Sequence, residues 1–212
     1  MTSLPLPAAS FSFRFGRIVL LAFEEVLGRE AFDRLLQQVG DPELSIVHAA
    51  EGEASAFHLE SLGRVEGALD ALYGAQAGRG MSLRAGRITL RKGLREIAGA
   101  LTSMPQCRGL RNLPLQARIL RGAELLSDVF NRNSDQVVRL AVEGHSLIWT
   151  NERCPYCFGR HTPQACCHLL VGTFQEGLAW LSGGKHFAVE EVACTARGDP
   201  ACTFRLATTP LV

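Results

Sequence analysis

The sequence predicts an α+β domain with a small four-stranded antiparallel sheet flanked by helices. Apolar positions recur at helical spacing as far as about residue 135. The period then shortens to β-branched runs divided by turn signals, giving two hairpins with one helix between them. The long βαβ crossovers of a doubly wound sheet are absent from that order. The chain has 212 residues, 47% of them hydrophobic, enough to bury a core without a disulfide or a metal. With no internal boundary in sight, residues 16–212 read as one domain, made of a helical half (16–135) and a sheet half (136–209).

Residues 1–15, with Pro5 and Pro7, read as a lead-in. From Gly16, the apolar positions Ile18, Leu21, Ala22, Val26 and Leu27 predict a helix running to Val39, stopped by Gly40 and Pro42. A second helix fits 54–73, with Phe57, Leu62, Val65, Leu69 and Leu72 on one face and Gly74 at its end. The stretch "GRGMSLRAGRITLRKGLREIAG" is helical in pattern but contains Gly78, Gly80, Gly86 and Gly93. Each glycine costs a helix interior roughly 1 kcal/mol against Ala, so close backbone approach is expected there. Its basic residues Arg84, Arg87, Arg91, Lys92 and Arg95 read as a solvated face, with contact to an anionic partner as the alternative.

A further helix spans 113–130, with Pro114 in its first turn. Strands follow at 137–142 and 145–150 around the turn dipeptide Glu143-Gly144. After a cysteine-rich loop at 151–164, residues 166–181 return to helical spacing. Two last strands, 187–195 and 202–207, flank "ARGDPA".

Charge excludes little but is informative. Lys plus Arg number 22 against 21 Asp plus Glu, so no global field draws the chain to nucleic acid or to an anionic membrane. The apolar run from Ile18 to Phe23 is too short to span a bilayer and lacks the flanks of a signal peptide. A cytoplasmic protein is expected. Its seven cysteines then read as reduced thiols rather than as a disulfide framework.

Cys194 and Cys202 stand on the two arms of the last hairpin, whose turn brings their side chains together. Glu191 lies three residues before Cys194, which places it on the opposite face of a regular strand; a bulge is needed for both to reach one ion. Cys167 begins the helix before the hairpin, where the macrodipole favours its thiolate. Cys167, Glu191, Cys194 and Cys202 would form a closed set of three sulfurs and one oxygen suited to structural Zn(2+). A second group, Cys154, Cys157, His161 and Cys166, is compatible with another zinc knuckle, an iron–sulfur ligand set, a redox couple or core packing. His168 reads as an ordinary surface or core histidine, and Cys107, distant from the other thiols, as a small apolar filler.

The stretch "CHLLVGTFQEGLAWLSGGKHFAVEEVACTARGDPACTF" resembles the 4-vinyl reductase domain family, through Cys167, Gly172, Gly177, Glu191, Cys194, Gly198, Asp199, Cys202 and Phe204. "GRIVLLAFEEVLGR" and "GRGMSLRAGR" extend the resemblance to the helical half of its stand-alone bacterial members. The resemblance implies a TRAPP-subunit-like ligand-binding fold, commonly dimeric. It also implies structural zinc on Cys167, Glu191, Cys194 and Cys202, as in related sensory domains of phenol- and toluene-responsive activators. No GxxxxGK[ST] loop is present for a fused ATPase.

Three functions follow as expectations. The first is a zinc-stabilised, homodimeric binding or sensory protein for an apolar or aromatic ligand of hydrocarbon or tetrapyrrole type. Its pocket would be lined by Leu83, Ile88, Leu126, Phe130, Ile148 and Trp149. The second is an enzyme or accessory subunit in reduction of a tetrapyrrole vinyl group, which would need a borrowed electron source. The third is an assembly subunit.

Overall fold

A computed structural model of the chain describes residues 8–50, 57–103 and 109–211. Among the described residues, six helices come first: α1 (Ala8–Leu27), α2 (Arg29–Val39), α3 (Pro42–Ala49), α4 (Ser61–Tyr73), α5 (Ala75–Ser103) and α6 (Leu115–Asn133). Strands β1 (Val138–Glu143) and β2 (Ser146–Asn151), helix α7 (His168–Ser182), and strands β3 (Val189–Ala193) and β4 (Cys202–Ala207) complete the chain. The four strands form one antiparallel sheet in the order β1-β2-β4-β3.

The helical half departs from expectation at several places, among them the helix expected over 54–73, which begins only at Ser61. Helix α1 begins at Ala8, within the expected lead-in. The single helix expected over 16–39 is broken at Gly28, whose φ of 78° starts α2 in a new direction. Helix α3 was not expected, because eight residues give too short a run for periodicity; its signal is local, with Asp41 Oδ1 accepting the Glu43 N–H at 3.1 Å and Pro42 in the first turn.

One continuous core joins the two halves, from Phe13 and Val19 in α1 to Phe204 and Leu206 in β4. Strand register pairs Leu147 with Leu206, Trp149 with Phe204, and Asn151 with Cys202, and all six side chains are buried. Aromatic rings run through this core from Phe15 to Phe130 (6.0 Å), Trp149 (6.0 Å), Phe174 (4.8 Å) and Phe204 (5.3 Å). Offset and edge-on contacts of this kind are worth about 0.5–1.5 kcal/mol each beyond burial.

The crossing of α5 and α7 explains one of the glycines in the long basic helix. A Cβ on Gly86 would overlap the Leu169 carbonyl of α7, and a Cβ on Gly172 would overlap the Leu83 carbonyl of α5. The two bare backbones pass in contact, fastened where Thr173 Oγ1 donates to the Gly86 carbonyl at 3.3 Å. Gly80 and Gly93 face open space. The basic residues are largely solvated, and three reach neighbouring helices: Lys92 to Glu25 at 2.9 Å, Arg91 to Glu176 at 3.4 Å, and Arg87, which donates to Gln175 Oε1 at 2.6 Å.

Gly172→Ala therefore destabilises the protein by about 2–3 kcal/mol through overpacking. Gly80→Ala is neutral or stabilising by up to about 1 kcal/mol. Urea denaturation of both variants checks the pair; equal effects would contradict the close crossing.

Candidate metal centre and aromatic seat

The sheet half brings six cysteines together, all buried and unpaired by disulfides: Cys154, Cys157, Cys166, Cys167, Cys194 and Cys202. Cys107 lies outside the described residues. Three chain segments deliver the six, and each has its own support.

The first segment leaves β2 at Asn151, a fully buried amide whose Nδ2 donates to Gln136 Oε1 at 2.8 Å and whose Oδ1 accepts the Arg153 N–H at 3.2 Å. Cys154 precedes, and Cys157 closes, a 3-10 turn over Pro155–Cys157. The loop is clamped by Arg160, which donates to the Cys166 carbonyl at 3.0 Å and to Asp70 at 2.5 Å, and lies 3.7 Å from Glu66. Burial pushes the Glu66 carboxyl well above the usual range despite the Arg160 guanidinium.

Cys166 and Cys167 come from the second segment, with Cys167 in the N-cap position of α7, in line with its place in the sequence. The third is the β3–β4 hairpin. There Glu191 aligns with Phe204 and Ala193 with Thr203, a register shift that inserts Val192 as an extra residue. The shift supplies the bulge that Glu191 and Cys194 require to face the same side. The Gly198-Asp199 turn anchors the other end, where Asp199 Oδ2 accepts the Cys194 N–H at 2.8 Å.

The sulfurs meet at contact distance. Cys167 Sγ lies 3.5 Å from Cys154, 3.9 Å from Cys194 and 3.8 Å from Cys202. Cys157 and Cys202 are 3.4 Å apart, and Cys194 and Cys202 4.0 Å. A tetrahedral ion with bonds of about 2.3 Å to sulfur holds its ligands about 3.8 Å apart. Two quartets have all ligand atoms within 4.8 Å of one another: Cys167, Glu191, Cys194 and Cys202, and Cys154, Cys157, Cys167 and Cys202. So compact a set fits single ions. An iron–sulfur cluster would separate its cysteines by irons and sulfides.

Electrostatics favour a cation. Hydrogen bonds from Cys157, Cys166, Cys167 and Cys202 converge on Cys194 and hold its thiol far below the usual range against its burial. Burial and neighbouring thiols push Cys167 well above that range. Burial, then the negative charge of Cys194, push the Glu191 carboxyl up to about 8. One Glu191 oxygen accepts the Cys167 N–H at 2.8 Å, while Oε1 is buried without a partner. An ion would satisfy that oxygen and relieve the repulsion among the thiolates.

Of the second expected group, Cys154 and Cys157 join the cluster. Cys166 touches only its rim, 3.9 Å from Cys194. His161 is exposed and belongs to neither quartet; instead it lines a cleft of about 690 Å³ together with Phe57, His58, Cys154, Phe158 and Arg160.

The six expected pocket residues divide by strand geometry. Trp149 and Phe130 lie in the aromatic core, Ile88 is buried, and Leu83 and Leu126 pack against the same core. Ile148 is buried and neighbours Trp149 on β2, where alternation across the strand directs it to the opposite face. None of the six lines the cleft beside the cysteines. The Trp149 indole is 1% exposed, and its Nε1 has no hydrogen-bond partner.

No family model and no curated protein sequence matches the chain. Solved structures do share its fold. A mutant H-NOX of T. tengcongensis aligns at 11% identity and TM-score 0.58, covering 95% of this chain and 100% of that one. The Fe(II) unliganded H-NOX of K. algicida aligns at 8% and 0.56, covering 92% and 95%. The phenol-responsive sensory domain of the transcription activator PoxR, solved with phenol, aligns at 17% and 0.52, covering 74% and 77%.

The expected membership of the 4-vinyl reductase family, and with it the TRAPP-subunit-like fold, is thereby corrected. The residues that suggested it centre on a local cysteine and carboxylate hairpin, and the stretches "GRIVLLAFEEVLGR" and "GRGMSLRAGR" that extended it to the helical half do not carry the family either.

The heme named for the H-NOX family does not fit the residues present. A histidine-ligated heme needs an imidazole facing an apolar cavity, and no histidine is buried among the described residues. His48 is held by Glu24 at 2.8 Å and lies tilted against Phe32, and His168, half-buried at the start of α7, has its imidazole pKa pushed down to about 4 by burial.

Arg160 and Glu66 were not singled out by sequence. Glu66 offered a signal, a carboxylate flanked by the apolar positions Val65 and Leu69 of one helix. Arg160→Met removes the partner of two carboxylates and a carbonyl, and lowers stability by about 3 kcal/mol. Chemical denaturation reads the loss; a change below about 0.5 kcal/mol would contradict the clamp.

Proposed function

We propose that the chain is a small-molecule sensory domain that seats an apolar or aromatic ligand bearing a hydrogen-bond acceptor beside Trp149. A zinc ion on Cys167, Glu191, Cys194 and Cys202 stiffens the sheet that carries the seat. The observation that carries the reading is the unpartnered Trp149 Nε1 within the aromatic core. A buried N–H left unpaired costs about 1–3 kcal/mol, which a ligand oxygen would offset. Phe130 stands edge-on to the indole and Phe174 is tilted against it, so a ring or short hydrocarbon entering there meets aromatic walls. The shared fold of a sensory domain solved with phenol supports the same class of ligand.

Zinc is the metal best suited to three thiolates and one carboxylate in a closed tetrahedron. Such a site is structural, since it leaves no position for a reacting water. The site also sits close to the seat: Cys202 is two residues from Phe204, and Asn151, its partner across the sheet, is two residues from Trp149.

Calorimetric titration with phenol, and with toluene as the analogue lacking the hydroxyl, tests the seat. Trp149→Phe is expected to weaken phenol binding about tenfold, equivalent to about 1.4 kcal/mol, and to leave toluene unchanged. Equal losses for both probes would remove the hydrogen bond from the reading. Separately, Cys194→Ala is expected to lose hairpin-bound zinc and lower the thermal midpoint by roughly 10 °C, several kcal/mol at about 2–4 °C each. Full zinc content and an unchanged midpoint would rule out the metal assignment.

A further inference from the structure

We propose that the cysteine cluster holds two divalent cations joined through the shared thiolates of Cys167 and Cys202. Cys154 and Cys157 close one tetrahedron, and Glu191 and Cys194 close the other. This rests on reading the hairpin as a metal site, and extends it from one ion to a thiolate-bridged pair.

The two quartets overlap in two members. Their shared edge, Cys167 to Cys202, measures 3.8 Å, the span of a tetrahedral edge. On one side lie Cys154, 3.5 Å from Cys167, and Cys157, 3.4 Å from Cys202. On the other lies Cys194, 3.9 Å from Cys167 and 4.0 Å from Cys202. Each shared sulfur thus has close ligand neighbours in both directions, as a bridging thiolate must.

A single ion leaves one side unresolved. Placed among the four cysteines, it leaves Glu191 Oε1 buried without a partner. Placed with Glu191 and Cys194, it leaves Cys154 and Cys157 as sulfurs packed at ligand distance with no ion to hold them there. Charge leads the same way: with five cysteines coordinating as thiolates beside one carboxylate, the ligand set would carry six negative charges, of which one divalent ion cancels two and a pair cancels four. The two remaining charges face the Thr195 N–H, 3.3 Å from Cys202 Sγ, and the Arg160 guanidinium, which donates to the Cys166 carbonyl next to Cys167. Soft, mostly thiolate surroundings select zinc, cadmium or cobalt over magnesium or calcium.

The two halves of the cluster differ in access. Cys154 and Cys157 line the cleft that also holds His161 and Phe158, whereas Cys167, Cys194 and Cys202 are fully buried. The ion on Cys154 and Cys157 is therefore the one a chelator reaches first.

The test is metal stoichiometry of the full chain by native mass spectrometry after zinc loading, combined with ¹¹³Cd NMR of the cadmium-loaded protein. The proposal expects two ions per chain and two ¹¹³Cd resonances coupled to each other through the shared sulfurs. The paired variant Cys154→Ser with Cys157→Ser should bind one. Should that variant fail to fold, Glu191→Gln with Cys194→Ser, which opens the other tetrahedron, should also bind one. Saturation of the parent chain at one ion would overturn the proposal. If that ion survives the paired Cys154 and Cys157 change, the hairpin zinc site stands while the pair fails; a parent chain that binds no metal overturns both. Two uncoupled resonances would overturn the bridging.

Discussion

Buried sulfur packed against buried sulfur is the constraint on which the rest of the sheet half depends. Five sulfurs in the two quartets come from a loop, a helix start and a hairpin. What surrounds them is polar scaffolding: the Asn151–Gln136 amide pair, the Arg160 clamp on α4, and the Asp199 bond to the Cys194 N–H. Such scaffolding orients the cysteines but does not neutralise them. Coordinated zinc contributes on the order of 10–16 kcal/mol in small metal-dependent domains, comparable with the roughly 5–15 kcal/mol net stability of a whole domain. An ion bound as proposed would thus be an energetic term comparable with the net stability of the fold.

The same strands carry the aromatic core around Trp149. Trp149 is opposite Phe204, and Asn151 is opposite Cys202, so one β2–β4 register sets both the indole and the cluster. Phe174 extends the connection to α7, whose first turn is capped by Cys167. The close crossing at Gly86 and Gly172 then passes the position of α7 to α5. A ligand that shifts the Trp149 ring as proposed would press on elements whose other ends meet at the sulfur cluster. That arrangement offers a physical route from binding to a change in the helical half.

Much of this is legible in the sequence, and the limits have physical causes. Both hairpins, α7 and the requirement for a bulge before Cys194 follow from period and spacing, because turn chemistry and side-chain alternation are local. Helix α3 and the break at Gly28 do not, since eight residues carry too little periodicity and a glycine inside a helical pattern is ambiguous. The merging of Cys154 and Cys157 with the hairpin cysteines cannot be read either: loop closure over 45 residues leaves no periodic trace. Ile148 and Trp149 are neighbours in sequence, and in a strand that adjacency puts them on opposite faces. The family resemblance is densest at the hairpin and weaker in the two stretches that extend it to the helical half, and it does not predict that the chain shares the fold of the H-NOX proteins and of the PoxR sensory domain.

Hydrogen–deuterium exchange of the full chain, compared before and after metal removal by a chelator, tests the central claim most directly. The account predicts that β3, β4, the 151–167 loop and the first turn of α7 lose protection by several orders of magnitude, while α1, α4 and the middle of α5 keep theirs. Unchanged protection around Cys194 and Cys202 after metal removal would contradict the claim that this half of the molecule is held by its sulfur-bound ions.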